Sequence, residues 1–93
     1  MNRYTDIFKI IYKRIRALLG RDAVIEIFSE LDLVINDSRK IKLVSAEHLT
    51  FEKLDQLVRE LHRKMGPLAL LAFKIPVKRK ARRKKLKLPD LLL

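Results

Sequence analysis

The residues of this chain that could carry acid–base or metal chemistry are few and far apart. Its two histidines, His48 and His62, lack the i, i+4 partner that places two metal ligands on one face of a helix. Neither of its two glycines stands in a glycine-rich phosphate loop. Three acids, Glu26, Glu30 and Asp32, would share one face of a strand and could bind a divalent cation, although a solvated strand face is the favoured interpretation. No catalytic or metal site is therefore predicted, and no cofactor is expected.

The strongest chemical signal is positive charge. The formal charge is +11, from 22 Lys and Arg residues against 11 Asp and Glu. Nine of the basic residues, and only one acid, lie in residues 74–93. Clustered cations release condensed counterions when they bind a nucleic acid, so the run predicts a polyanionic partner. The residues expected to contact its phosphates are Lys74, Lys78, Arg79, Lys80, Arg82, Arg83, Lys84 and Lys85.

The basic run near the C-terminus is followed by several leucines. Exposed leucines would be unfavourable in a free monomer, so we expect them to dock on another surface, such as another chain; a frayed terminus is the alternative. Residues 1–76 are predicted to form one domain, and residues 77–93 a basic edge strand and tail. The expected partner interface consists of Leu86, Leu88, Leu91, Leu92 and Leu93.

Composition also restricts the setting in which the chain works. It contains no cysteine, which excludes disulfides and thiolate metal sites and favours a cytoplasmic protein. No apolar run approaches the roughly 20 residues that span a bilayer. Residues 1–6 lack the apolar core of a signal peptide. An anionic membrane surface would require a cleaner apolar helix face than this sequence offers, so no membrane partner is predicted.

Apolar residues at helical spacing predict two helices that would hold the rest of the fold. The first covers Thr5–Leu19 and ends at Gly20. The second covers Phe51–Met65, with Thr50 as its N-cap and Gly66 as its stop signal.

Other segments have the patterns of strands. In residues 22–36 the apolar residues fall mainly on odd positions, which predicts a strand, and residues 41–45 would return as its hairpin partner. Residues 68–73 are apolar at nearly every position, as in a strand covered on both faces, and Pro76 would end it at a sheet edge. The predicted fold is α/β: a small mixed sheet with two helices, in the order α-β-β-α-β with a short final strand.

Residues 49–62, LTFEKLDQLVRELH, resemble a helix of the catalytic domain of the tRNA-splicing endonuclease family, which typically reads L-S-W-E-E-L-x-x-L-V-R-x-A-H. Residues 70–72 are similar to the strand that follows this helix in the family. Residues 28–35 and 39–44 are similar to the two strands that precede it. The resemblance implies a restriction-endonuclease-like α/β architecture.

That family cleaves RNA without metal, using a tyrosine as base, a histidine as acid and a lysine for transition-state charge. Ile35 stands at the tyrosine position, Arg39 at the histidine position, and only Lys64 is close to the lysine position. The resemblance therefore implies a non-catalytic structural subunit. Such a subunit would position a catalytic endonuclease subunit in a hetero-oligomer and help to hold precursor tRNA.

Other interpretations stay open. Residues 31–34 and 72–74 are similar to the P-D-I-V and A-V-K segments of archaeal Holliday-junction resolvases. Residues 42–46 lack the E-x-K pair of that metal site, so this resemblance also implies an inactive, DNA-binding relative. A small basic ribonucleoprotein without nuclease kinship is a further possibility. The last alternative is a magnesium-dependent nuclease that uses Glu30 and Asp32 as metal ligands.

Overall fold

The computed structural model describes residues 3–37, 41–43 and 49–93, and this part of the chain is mainly helical. Its α-helices are α1 (Thr5–Leu19), α2 (Arg21–Glu30), α3 (Phe51–Met65) and α4 (Pro67–Lys84), and a 3-10 turn follows at Asp90–Leu92. Two three-residue strands, β1 (Ile35–Asp37) and β2 (Ile41–Leu43), pair antiparallel, with Ile35 opposite Leu43. The predicted α/β fold with a mixed sheet was therefore wrong.

Two predicted helices have the expected bounds. Helices α1 and α3 begin and end at the predicted residues, and each is followed by a glycine with positive φ, 91° at Gly20 and 78° at Gly66. The Thr50 hydroxyl accepts a hydrogen bond of 3.1 Å from the backbone N–H of Lys53, as expected of an N-cap. Local signals were sufficient here because each end carries its own stop or cap residue.

The long predicted strand over residues 22–36 is mostly helix α2. Val24, Ile27 and Phe28 are buried at the i, i+3, i+4 spacing of a helix face. The apolar residues on odd positions gave the alternation of a strand. Those on even positions, Val24 and Phe28, complete an apolar face at helical spacing together with Ile27, and this helical pattern prevailed. The hairpin was confirmed only in shortened form, as β1 and β2.

The predicted strand over residues 68–73 is the beginning of α4. Leucine and alanine favour helix, and this run contains no β-branched residue. Pro67 stands in the first turn, where its missing N–H breaks no helical hydrogen bond. Only one side of the run is buried: Phe73 lies in the core, whereas Leu71 is exposed. Pro76 lies inside the helix instead of at a sheet edge.

The four helices enclose one hydrophobic core. Helix α4 packs against both α1 and α3, and α2 packs against α1. The Tyr12 and Phe28 rings meet edge to face at 5.5 Å between their centroids. Leu88 and Leu92, beyond the end of α4, join the same core. The predicted C-terminal edge strand was wrong, because residues 77–84 continue α4 and residues 90–92 form the 3-10 turn.

A polar contact fastens the hairpin to α1. The Tyr12 hydroxyl donates to Asp37 Oδ2 at 2.7 Å, and Arg16 Nη1 donates to the same oxygen at 2.8 Å. The bonds from Arg16 and then Tyr12 lower the pKa of Asp37. Burial, followed by the bond to Asp37, raises the pKa of the Tyr12 phenol to about 12.

We expect alkaline pH to destabilise the protein through Tyr12. The unfolded chain releases this proton near pH 10 and the folded chain near pH 12, so the stabilisation is complete below about pH 10 and is lost as pH rises toward 12. Urea unfolding at about pH 9 and about pH 11.5 would show a larger loss in the natural chain than in Tyr12→Phe. Equal losses in both proteins would contradict a perturbed Tyr12.

Candidate nucleic-acid interface

The second half of α4 carries most of the predicted phosphate-binding residues. Val77 and Ala81, one turn apart, are buried and fix the orientation of this half against the core. Arg79, Arg82 and Arg83 consequently point to solvent. Lys78 and Lys74 are half-buried at the margin of this face, and Lys85 is exposed just after the helix end. Six of the eight predicted cations therefore share the outer side of α4 or its end.

The other two, Lys80 and Lys84, lie against α1. The ammonium groups of Lys80 and Lys84 are 4.0 Å and 2.7 Å from the Asp6 carboxylate. The hydrogen bond from Lys84 is the main cause that lowers the pKa of Asp6. The Lys84 carbonyl also accepts a 2.9 Å hydrogen bond from Arg3 Nη2. Lys80 and Lys84 thus hold the end of α4 to the start of α1 and are less available to a ligand.

Two shallow grooves flank the exposed cations. One, of about 280 Å³, is lined by Ile75, Lys78, Arg79 and Arg82. The other, of about 330 Å³, lies between α4 and the C-terminal segment, where Lys78, Arg82 and Lys87 line it together with Asp90 and leucine side chains. Lys78 and Arg82, at i, i+4 spacing, line both grooves and so form the ridge between them.

The six outer cations of α4 form no ion pair within the described residues, and the same is true of Lys13 and Arg14 on α1. Other cations are paired: Arg16 with Asp37, Arg59 with Asp55, Arg63 with Glu60, and Lys64 with Glu30. Within residues 3–37, 41–43 and 49–93, no carboxylate lies within salt-bridge distance of the six outer cations. These six are Lys74, Lys78, Arg79, Arg82, Arg83 and Lys85. The positive charge of this face is therefore not neutralised within the described structure.

Helix stabilisation explains only part of this cluster. Cations in a last turn interact favourably with the helix dipole, by about 0.3–1 kcal/mol each, which accounts for Arg82 and Arg83. The effect falls off within one turn and does not reach Lys78 or Arg79. The i, i+4 pairs Lys78–Arg82 and Arg79–Arg83 repel instead, each by about 0.2–0.5 kcal/mol. The arrangement is therefore better suited to an anionic ligand than to the folded chain alone.

The predicted leucine interface is divided between the core and the surface. Leu88 and Leu92 are buried within this chain, Leu86 and Leu91 are partly buried against the core, and Leu93 is exposed. The chain thus covers part of its own leucine-rich end. Docking of this segment on another chain stays a prediction, with Leu93 as its most accessible member.

The three acids singled out in the sequence do not align as expected, and His62 is the only histidine among the described residues. Glu26 and Glu30 lie on α2 and Asp32 in the following turn, all exposed, and Glu30 accepts a 3.2 Å hydrogen bond from Lys64 Nζ. The strand face that was expected to align these three acids is absent, because α2 is helical. His62 lies on α3, and His48 falls outside the described residues. Among the residues that the structure describes, no group of three potential metal ligands was found.

An exposed apolar row on α4 was not predicted. Leu68, Leu71 and Ile75 are 75%, 65% and 64% exposed, although Leu68 and Leu71 were assigned to a doubly covered strand. The spacing of the buried residues Leu70, Phe73, Val77 and Ala81 identifies one helix face and could have shown that this row lies opposite to it.

The positions compared with nuclease chemistry lie on different elements or outside the described residues. Ile35 belongs to β1, Lys64 to the last turn of α3, and Arg39 lies outside the described residues. No protein-family model, curated protein or solved structure matches this chain. None of the described helices is long and apolar enough to span a lipid bilayer. The charge and geometry of α4 are therefore the features of this chain that bear on its function.

Proposed function

We propose that this protein binds the phosphate backbone of duplex nucleic acid, without sequence preference, through the outer face of α4. The observation that carries the proposal is the group of six cations on this helix and its end that form no ion pair within the described residues. Lysine and arginine contacts to phosphates fix position and supply affinity, but they do not read base sequence. Arg79 and Arg82, both exposed and lining a groove, would make the central contacts.

The dimensions of α4 suit this role. From Lys74 to Lys85 the helix rises about 17 Å, and a duplex of that length carries about ten phosphate charges. A duplex of this length therefore offers more phosphates than the six cations could contact. The half-buried stems of Lys74 and Lys78 restrict these two side chains, which reduces the entropy lost on binding.

A narrower role beside a catalytic tRNA-splicing endonuclease subunit, holding precursor tRNA in the cytoplasm, would use the same surface. The helical resemblance in residues 49–62 supports it, because α3 has the expected bounds. The strands that the resemblance also required are absent at residues 28–30 and 70–72, which lie in α2 and α4. Restored cleavage of precursor tRNA on mixing this protein with a catalytic subunit would favour the narrower role.

The salt dependence of binding tests the general proposal. If all six cations engage phosphates, the logarithm of the association constant should fall with the logarithm of salt concentration with a slope of about −5 on duplex DNA. Fluorescence anisotropy with two unrelated sequences, each as DNA and as RNA, would measure it. We expect similar affinities for both sequences. A slope near zero, or binding to only one sequence, would contradict the proposal.

A further inference from the structure

The exposed apolar row of α4 lies in line with the basic residues. Leu68, Leu71 and Ile75 recur at intervals of three and four residues, and the same spacing continues to Arg79 and Arg82. The outer face of α4 is thus apolar in its first half and cationic in its second. Single exposed aliphatic residues are normal, but three on one helix face indicate an interaction surface.

We propose that this row, Leu68, Leu71 and Ile75, is an interface between two copies of the chain that forms when they bind nucleic acid. The inference rests on the proposed function. In an antiparallel pair related by a two-fold axis, Leu68 of each copy would face Ile75 of the other, with the two Leu71 side chains beside the axis. The nearly symmetrical spacing about Leu71 makes the row complementary to itself.

This pairing would also arrange the cations usefully. The two basic halves would extend from the axis in opposite directions. With the helical rise of 1.5 Å per residue, the Arg82 residues of the two copies would be about 32 Å apart along the helix direction. One turn of duplex DNA measures about 34 Å. Two copies could therefore make equivalent phosphate contacts about one turn apart.

The size and charge of the surface explain why the pair would need nucleic acid. Three aliphatic side chains per copy cover much less than the roughly 800 Å² per partner of a stable interface. Each copy also carries a formal charge of +11, so free copies repel each other. A polyanion would remove this repulsion. A membrane is a poorer occupant, because the row turns cationic after Ile75 instead of continuing as an apolar face.

The stoichiometry on short duplexes tests the inference. Three proteins would be titrated: the natural chain, the double variant Leu71→Gln with Ile75→Gln, and Leu18→Gln. The longer duplex has about 24 base pairs, and the shorter one is a hairpin of about 8 base pairs, about 27 Å long, which is too short for the contacts of both copies. Sedimentation velocity would give the number of copies bound. Leu18 is a matched control because it is a leucine, 56% exposed, on α1. All three changes are at exposed positions, and circular dichroism would verify that each variant is folded.

We expect the natural chain and Leu18→Gln to bind the longer duplex as two copies with a Hill coefficient above about 1.5. The double variant should keep its affinity for the shorter duplex within about twofold and lose at least tenfold in the affinity of the second copy. Equal cooperativity in all three proteins would overturn the inference, as would equally strong pairing without nucleic acid. Binding of the same three proteins to phosphatidylserine vesicles would also be measured. If the double variant lost only vesicle binding, the row would be a membrane contact and the inference would be overturned. Failure of single copies to bind the shorter duplex would instead overturn the proposed function.

Discussion

Changing Arg79 and Arg82 together to glutamate is expected to lower the affinity for duplex nucleic acid at least a hundredfold at about 0.1 M salt. The change removes two of the six outer cations and places two carboxylates among those that remain, so the face loses most of its net positive charge. The slope of the salt dependence should change from about −5 to about −2. Fluorescence anisotropy over a range of salt concentrations measures both effects.

This variant should change stability only slightly. Both arginines are exposed and form no ion pair in the described structure, so their replacement breaks none. The new side chains would face Arg83 and Lys78 at i, i+4 spacing, which turns two repulsions into attractions of about 0.3 kcal/mol each. A carboxylate at position 82 also loses the favourable helix-dipole interaction of Arg82, about 0.3–1 kcal/mol, so the two effects largely cancel. We therefore expect a thermal midpoint within a few degrees of that of the natural chain. A loss of binding that accompanied unfolding would not support the proposed function.

A matched control changes the net charge equally on another helix. Arg59 and Arg63 lie on α3, exposed, and pair with Asp55 and Glu60. Their double change to glutamate also breaks these two ion pairs, so circular dichroism would first verify that the variant is folded. It should weaken duplex binding by no more than about fivefold, because the outer cations of α4 are unchanged. Equal losses in the two variants would show that binding depends on total charge and is not localised on α4.

The success of the helix predictions and the failure of the strand predictions have one physical origin. Helices α1 and α3 each combine an amphipathic pattern with a local end signal, Gly20 or Gly66, and Thr50 adds a cap. A short apolar run such as residues 68–73 lacks a period of its own, so its sequence fits a buried strand or a half-buried helix. Only its continuation through Val77 and Ala81 reveals the helical face.

The sequence was sufficient to identify most residues of the candidate site, but not how the fold arranges them. The cluster of cations is visible in the sequence, whereas the pairing of Lys80 and Lys84 with Asp6 depends on the antiparallel packing of α4 against α1. Contacts between residues more than 70 positions apart leave no local pattern. The same holds for the bonds of Tyr12 and Arg16 to Asp37, which depend on the docking of the hairpin on α1.

Changing Phe73 to alanine is expected to destabilise the protein by about 3–5 kcal/mol. Its ring is fully buried where α4 packs on the core, and the neighbouring elements cannot fill the cavity that alanine would leave. A small domain has a total stability of about 5–15 kcal/mol, so the variant would be close to unfolding. Urea unfolding followed by circular dichroism at about 222 nm, the helical band, would measure the loss.

Leu71→Ala, also within residues 68–73, is the control. It distinguishes a helix with one buried face from a strand covered on both faces. On α4 the Leu71 side chain is 65% exposed, so its truncation should change the free energy of unfolding by no more than about 0.5 kcal/mol. In a strand covered on both faces, both side chains would be buried, and both changes would cost several kcal/mol. Similar large losses for both variants would therefore contradict the helical face. A large loss for Phe73→Ala alone would establish that one side of α4 is free to meet a ligand.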